Sequence, residues 1–144
     1  MSKILVSNCL LGCKCRYKGD SCTCEAVLTL AQEHVLIGVC PEQMGGLTTP
    51  RPPAEIQGDQ VISSEGQDVT SQYQLGAQTA LLLAKLNKVD FAILKAKSPS
   101  CGKGRIYDGT FTGKLCDGNG VTTQLLLDNG IPVYSEDELS QLPL

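Results

Sequence analysis

Tryptophan is absent from the 144 residues, and aromatic residues of all kinds make up only 4%. A stacking platform for single-stranded nucleic acid therefore has few candidate residues. An excess of basic charge is missing too: twelve Lys and Arg stand against fifteen Asp and Glu, a formal charge of −3. Affinity for nucleic acid rests largely on neutralising phosphates, so no nucleic-acid partner is expected. No apolar run approaches the roughly 20 residues of a membrane span, and Ile4-Leu5-Val6 is too short a stretch for a secretory signal. No membrane partner is expected, and the default address is cytoplasmic. The one histidine, His34, sits between a helical and a strand pattern, where a structural role is expected. Acid–base work then falls to carboxylates, hydroxyls or water.

Several familiar motifs are missing as well. Without a Cys-x-x-Cys, ordinary zinc ribbons and thioredoxin-type redox pairs have no support. Ferredoxin spacings are absent, and no Gly-x-Gly-x-x-Gly follows the first apolar run, which removes the usual dinucleotide argument. The segment Gly109 to Leu115 approaches a phosphate loop, but it is one residue short and no Ser or Thr follows Lys114.

What remains is a globular composition, 42% hydrophobic and 19% charged, of a length that fits one domain, residues 1–144. Three nearly continuous apolar runs, Ile4 to Ser7, Val35 to Val39 and Phe91 to Leu94, read as strands of a parallel sheet covered on both faces. Helical patterns run from Cys24 to Glu33, Ser71 to Leu86 and Asn119 to Asp128. A last strand, Ile131 to Tyr134, precedes a short C-terminal helix with Ser135 as N-cap and Glu138 three residues on. Pro41 to Gln60 and about Lys97 to Gly118, dense in Pro and Gly, read as long loops, and long loops tend to be functional. The alternation predicts a single α/β domain with a mostly parallel sheet.

The chain holds eight cysteines, fewer than the roughly 8–10% of a disulfide scaffold. In a reducing compartment such thiols point to metal ligation or thiol chemistry. Cys9 lies just beyond the first strand, Cys40 ends the second, and Cys101 follows the third within Lys97-Ser98-Pro99-Ser100-Cys101-Gly102. Ligands of an open parallel sheet bind outside the carboxyl ends of its strands, so these three thiols are expected at one edge. There they would hold a metal or an iron–sulfur cluster with one position open, or else pack as small buried hydrophobes. Cys13, Cys15, Cys22 and Cys24 read as surface thiols around a tight loop, with an unusual zinc framework as the alternative, and Cys116 as a spectator. Glu42, two residues after Cys40, and Ser98 and Ser100 beside Cys101 are the candidate proton-handling groups. Arg51, and Arg16 with Tyr17, stand where they can orient a polar ligand.

Together, Asn8-Cys9-Leu10-Leu11-Gly12 with Cys15-Arg16-Tyr17, Cys40-Pro41-Glu42-Gln43 with Gly45-Gly46-Leu47 and Pro50-Arg51-Pro52, and Ser98-Pro99-Ser100-Cys101-Gly102 with Ile106-Tyr107-Asp108-Gly109-Thr110-Phe111 resemble the thiouracil desulfidase-like family over essentially the whole chain. The resemblance implies a Rossmann-like α/β fold and a [4Fe–4S] cluster on Cys9, Cys40 and Cys101. It implies an enzyme that converts a small thiolated pyrimidine base, 2-thiouracil-like, to the oxo base and sulfide without net redox change, Glu42 and one of Ser98 and Ser100 handling protons. Lys18 departs from the acidic residue that the resemblance associates with the Tyr17-x-Gly19 turn, and Cys13, Cys22 and Cys24 are extra thiols. A metal- or cluster-binding sensor or sulfur carrier is the alternative. Oligomeric state is not legible in the sequence.

Overall fold

Burial of the first apolar run is complete from Ile4 to Ser7, and this segment, Lys3–Ser7, forms β1 of the computed structural model, which describes all 144 residues. A 3₁₀ turn, Asn8–Leu11, follows, then α1 (Glu25–Thr29), prolonged by a 3₁₀ turn, and β2 (Val35–Val39). Next come α2 (Pro41–Met44), β3 (Ala54–Gln57), β4 (Gln60–Ser63), α3 (Thr70–Asn87) and β5 (Phe91–Leu94). The chain closes with β6 (Arg105–Tyr107), β7 (Leu115–Asp117), α4 (Val121–Asp128), β8 (Val133–Ser135) and a 3₁₀ segment, Glu136–Gln141. No helix is long and apolar enough to cross a membrane.

The central sheet has the order β2-β1-β5-β8, with every pair parallel. The chain moves from β1 outward to β2, then returns to build β5 and β8 on the other side of β1. The strand order therefore reverses between β1 and β5, and the crevice of a doubly wound sheet opens at that point. Alternation in the strands feeds two cores. Ile4, Val6, Phe91 and Ile93 pack with Leu10 and Val27 on one face. Leu5, Ala92 and Leu94 pack with Val39, Ala84, Leu126 and Val133 on the other. The expected α/β class with a mostly parallel, Rossmann-like sheet is observed.

Two segments expected as loops carry regular structure. Pro41 to Gln60 contains α2, β3 and the start of an antiparallel hairpin whose turn is Gly58-Asp59. Pro41 opens a helix instead of preventing one, because its missing N–H falls at the first helical position, where no partner is needed. Lys97 to Gly118 contains the β6–β7 ribbon. The last strand begins at Val133, not Ile131, although the Pro132 carbonyl still accepts the Ala92 N–H at 2.9 Å; Pro132 has no N–H to give a ladder. The Cys24–Glu33 helix is shorter than its pattern and ends in 3₁₀ geometry. The C-terminal segment is two short 3₁₀ turns kinked at Glu138, whose backbone is not helical (φ −114°, ψ 22°), yet its Ser135–Glu138 capping box forms as expected.

Close backbone contacts seat the site-bearing loops. A side chain on Gly76 of α3 would run into the Pro41 carbonyl, and one on Gly45 into the Gln72 carbonyl. Only glycine at both places lets α2 lie directly on α3. Gly120, at the start of α4, likewise has no room for a Cβ because the Ser100–Cys101 peptide lies against it.

Candidate active site

A cavity of about 520 Å³ opens at the carboxyl ends of β1, β2 and β5. Cys9, Cys40 and Cys101 all line it, with Glu42, Arg51 and Ser98. The two cores meet here: Cys9 extends the first, and Cys101 belongs to the second.

Each thiol is held by its own local structure. Cys9 sits in the 3₁₀ turn after β1, and its carbonyl accepts the Cys22 N–H at 2.9 Å. Cys40 is the N-cap residue of α2. Cys101 lies in a turn knitted to the start of α4. The Ser98 Oγ accepts the N–H groups of Cys101 at 2.7 Å and Ser100 at 3.1 Å, and the Thr123 hydroxyl donates to the Cys101 carbonyl at 2.7 Å.

Burial pushes the Cys9 thiol up to about 12, although the Lys95 ammonium pulls it down. Burial also pushes Cys101 up to about 12, with the Glu42 charge adding to the effect and the hydroxyls of Ser7 and Ser100 opposing it. Cys40 moves the other way: the adjacent Cys15 thiol lowers it, against the effect of burial, and the Cys40 Sγ itself lies 3.9 Å from the Cys15 carbonyl, which it can donate to. No side-chain hydrogen bond closes the α2 cap, but the Gln43 N–H still favours the Cys40 thiolate. Cys15 is raised correspondingly, first by its interaction with Cys40 and then by burial.

Sequence reasoning placed Cys15 among surface thiols, and that expectation fails. Cys13 is exposed, but Cys15 is 4% exposed and lines the cavity. Its carbonyl accepts from Arg51 Nη2 at 3.0 Å. Cys22 and Cys24 are half-buried and, like Cys116, are not part of the cavity wall. No group of three or more His, Cys, Asp and Glu closes on a single point as one metal ion requires. Three thiols on the wall of one cavity are soft sulfur donors of the kind an iron–sulfur cluster accepts.

Arg51 is the organiser of the polar wall. Its side chain is 6% exposed, and both Nε and Nη2 donate to Glu42 Oε2, at 3.0 and 2.7 Å. Nη1 donates to the Thr48 carbonyl and the Thr49 hydroxyl. Glu42 is thus fixed by one oxygen, leaving the other unclaimed by arginine. The two candidate serines separate: Ser98 lines the cavity, whereas Ser100 is 0% exposed, off the cavity wall, with its hydroxyl 2.9 Å from that of Thr122. Arg16 and Tyr17 also border the cavity.

Three cavity residues escaped the sequence reading. Tyr73, on α3, turns its hydroxyl toward Glu42, and burial raises its pKa, with the Glu42 charge adding. Lys95, directly after β5, carries an ammonium 2.8 Å from Glu136 at the cavity edge. Glu55 lies on β3, inside the segment read as loop. Only its alternation with Ala54 and Ile56 marked it.

Known proteins place this arrangement in context. The sequence model described as 2-thiouracil desulfurase matches residues 4–138. The protein YbbK of Bacillus subtilis (strain 168), itself uncharacterized, is 44% identical over 149 residues, covering 96% of this chain and 99% of its own. A solved structure of the [4Fe-4S]-dependent thiouracil desulfidase TudS superposes with a TM-score of 0.93 at 48% identity, over 99% of this chain and 95% of that one.

Proposed function

The chain belongs to the 2-thiouracil desulfurase family, and we propose that its cavity seats a [4Fe–4S] cluster on Cys9, Cys40 and Cys101 and removes the sulfur of a thiolated pyrimidine base. The observation that carries this reading is the meeting of three thiols, one from each loop after β1, β2 and β5, beside a carboxylate pinned by a buried arginine. A sensor or sulfur carrier has no need of that carboxylate on the wall.

When bound, the cluster supplies a soft Lewis acid at the metal that three protein thiolates leave without a protein ligand, matched to a thiocarbonyl sulfur. The net change is hydrolytic: water provides the oxygen of the oxo base, the C=S bond is replaced by C=O, and sulfur leaves as sulfide with the protons of water. No electron is gained or lost by the base.

The side chains divide the remaining work. Arg51 holds Glu42 by Oε2, so the other oxygen can take a proton from the attacking water at a fixed place. Ser98 accepts two backbone N–H groups through its oxygen, which leaves its own O–H free to donate toward the cavity. Lys95 adds positive charge next to Cys9 and favours its thiolate. Ser7 and Ser100 hydroxyls do the same for Cys101.

The test is anaerobic turnover. Protein carrying iron and acid-labile sulfide is incubated with 2-thiouracil in the absence of any reductant. Uracil and sulfide should appear in equal amounts. Iron-replete protein that releases neither contradicts the proposed activity.

A further inference from the structure

Glu55 is 8% exposed, yet none of the chain's ion pairs includes it. One oxygen is spoken for: Oε1 accepts the N–H groups of Gly109 at 2.9 Å and Phe111 at 3.2 Å. These bonds clamp the turn after β6 against β3, and Gln57 Nε2 reinforces it by donating to the Gly109 carbonyl at 2.8 Å. They also hold Phe111 on the cavity wall at φ 57°, a left-handed conformation that a bulky residue adopts only when its surroundings impose it.

The second oxygen, Oε2, has no protein partner. No fully buried side-chain polar atom lacks one, so Oε2 keeps some contact with solvent, and Glu55 is a residue of the cavity wall. A cavity residue thus carries a carboxylate oxygen that no protein donor satisfies, beside Phe111 on the same wall. A charged acceptor in such a place selects for a donor on the ligand and penalises a ligand that lacks it.

We propose that Glu55 is a specificity-determining residue whose free oxygen accepts the ring N–H of the bound heterocycle. The inference rests on the desulfuration reading and narrows it: the substrate class is a thio-base that keeps the ring N–H facing Glu55, and a base alkylated at that nitrogen is excluded. Glu55→Gln is an informative change. The amide oxygen stays on the two backbone N–H groups and preserves the turn, so the amide N–H₂ faces the ring N–H, donor against donor.

The experiment measures binding, so it does not depend on turnover. Uracil, 1-methyluracil and 3-methyluracil are titrated calorimetrically into anaerobic, cluster-loaded protein. The wild type should bind uracil at least about tenfold more tightly than one of the two methylated bases, the scale of one hydrogen bond to a charged group. Glu55→Gln should weaken uracil by a similar factor and erase the difference. Gln57→Ala, which loosens the same turn from outside the cavity, should shift all three ligands together and leave their ratio unchanged. Equal affinity of the wild type for all three bases overturns the inference, even if 2-thiouracil is desulfurated, and does so whether or not the variant folds. Retained discrimination in a folded Glu55→Gln overturns it as well. Absence of both uracil binding and 2-thiouracil turnover in loaded wild type overturns this inference together with the proposed function.

Discussion

Replacing Arg51 by methionine keeps much of the side chain's volume but removes every hydrogen bond its guanidinium makes, two of them to Glu42. The side chains of Arg51 and Glu42 are 6% and 16% exposed, so the change leaves a carboxylate largely sheltered from water with no counter-charge. Breaking a buried pair from one side costs about 3–5 kcal/mol. The residual exposure of Glu42 lets some water reach it, which places the expected loss near the lower end. With a urea slope of about 1–3 kcal/mol/M, a loss of about 3 kcal/mol lowers the midpoint by about 1–3 M. Far-UV circular dichroism during anaerobic urea titration reads this directly. The origin of the effect is checked by a second substitution: in a Glu42→Gln background no uncompensated charge remains, so Arg51→Met should cost much less there than in the wild type. A midpoint shift corresponding to less than about 1 kcal/mol, or an equal cost in both backgrounds, would refute the view of Arg51 as the buried counter-ion that fixes Glu42.

Glu42→Gln alone keeps the shape of the wall and should leave bound iron unchanged, while turnover of 2-thiouracil falls about 10²-fold or more, the scale of losing a general base; parental turnover at full iron would remove Glu42 from proton transfer. The two serines should part company: Ser98→Ala lowers turnover, whereas Ser100→Ala leaves the Thr122 hydroxyl without its buried partner and costs about 1–3 kcal/mol of stability, with urea midpoints and rates separating the two. Glu138 gives a pH signature. Burial pushes its carboxyl up, but the Ser135 N–H and the Lys103 ammonium outweigh this and hold it below the usual carboxylate value. Its contribution is therefore fully present above that usual value and disappears as pH falls through the lowered one. Glu138→Gln should be less stable than the parent at neutral pH and converge with it in acid; a gap that persists in strong acid would contradict the assignment.

The parts of this site written locally in the chain were legible before the fold was known. Continuous apolar runs betray strands of a covered parallel sheet, so Cys9, Cys40 and Cys101 could be assigned to one edge from position alone. Glu42 and the pair Ser98 and Ser100 followed as their neighbours in sequence, and only the fold separates the two serines. The missing parts are joined over long stretches of chain, and residue spacing carries no trace of such pairings: Arg51 reaches Cys15, and Glu55 reaches Gly109 and Phe111. Proline and glycine obscured the rest. They were read as breakers between Pro41 and Gln60, whereas Pro41 starts α2 and Gly45 admits it to the surface of α3. Tyr73 was hidden by its helical period, which reports that a side chain is buried but not that its hydroxyl reaches a cavity.

The ligand assignment is the claim on which all the chemistry depends, and iron content tests it most directly. Protein is purified anaerobically as wild type, as single Ser variants of Cys9, Cys40 and Cys101, and as a four-fold Ser variant of Cys13, Cys22, Cys24 and Cys116. Iron and acid-labile sulfide are then quantified. The wild type and the four-fold variant should carry iron and sulfide in equal amounts, and each single variant should lose both together with desulfuration. Full iron in any of the three single variants, or loss of iron in the four-fold variant, would contradict the assignment.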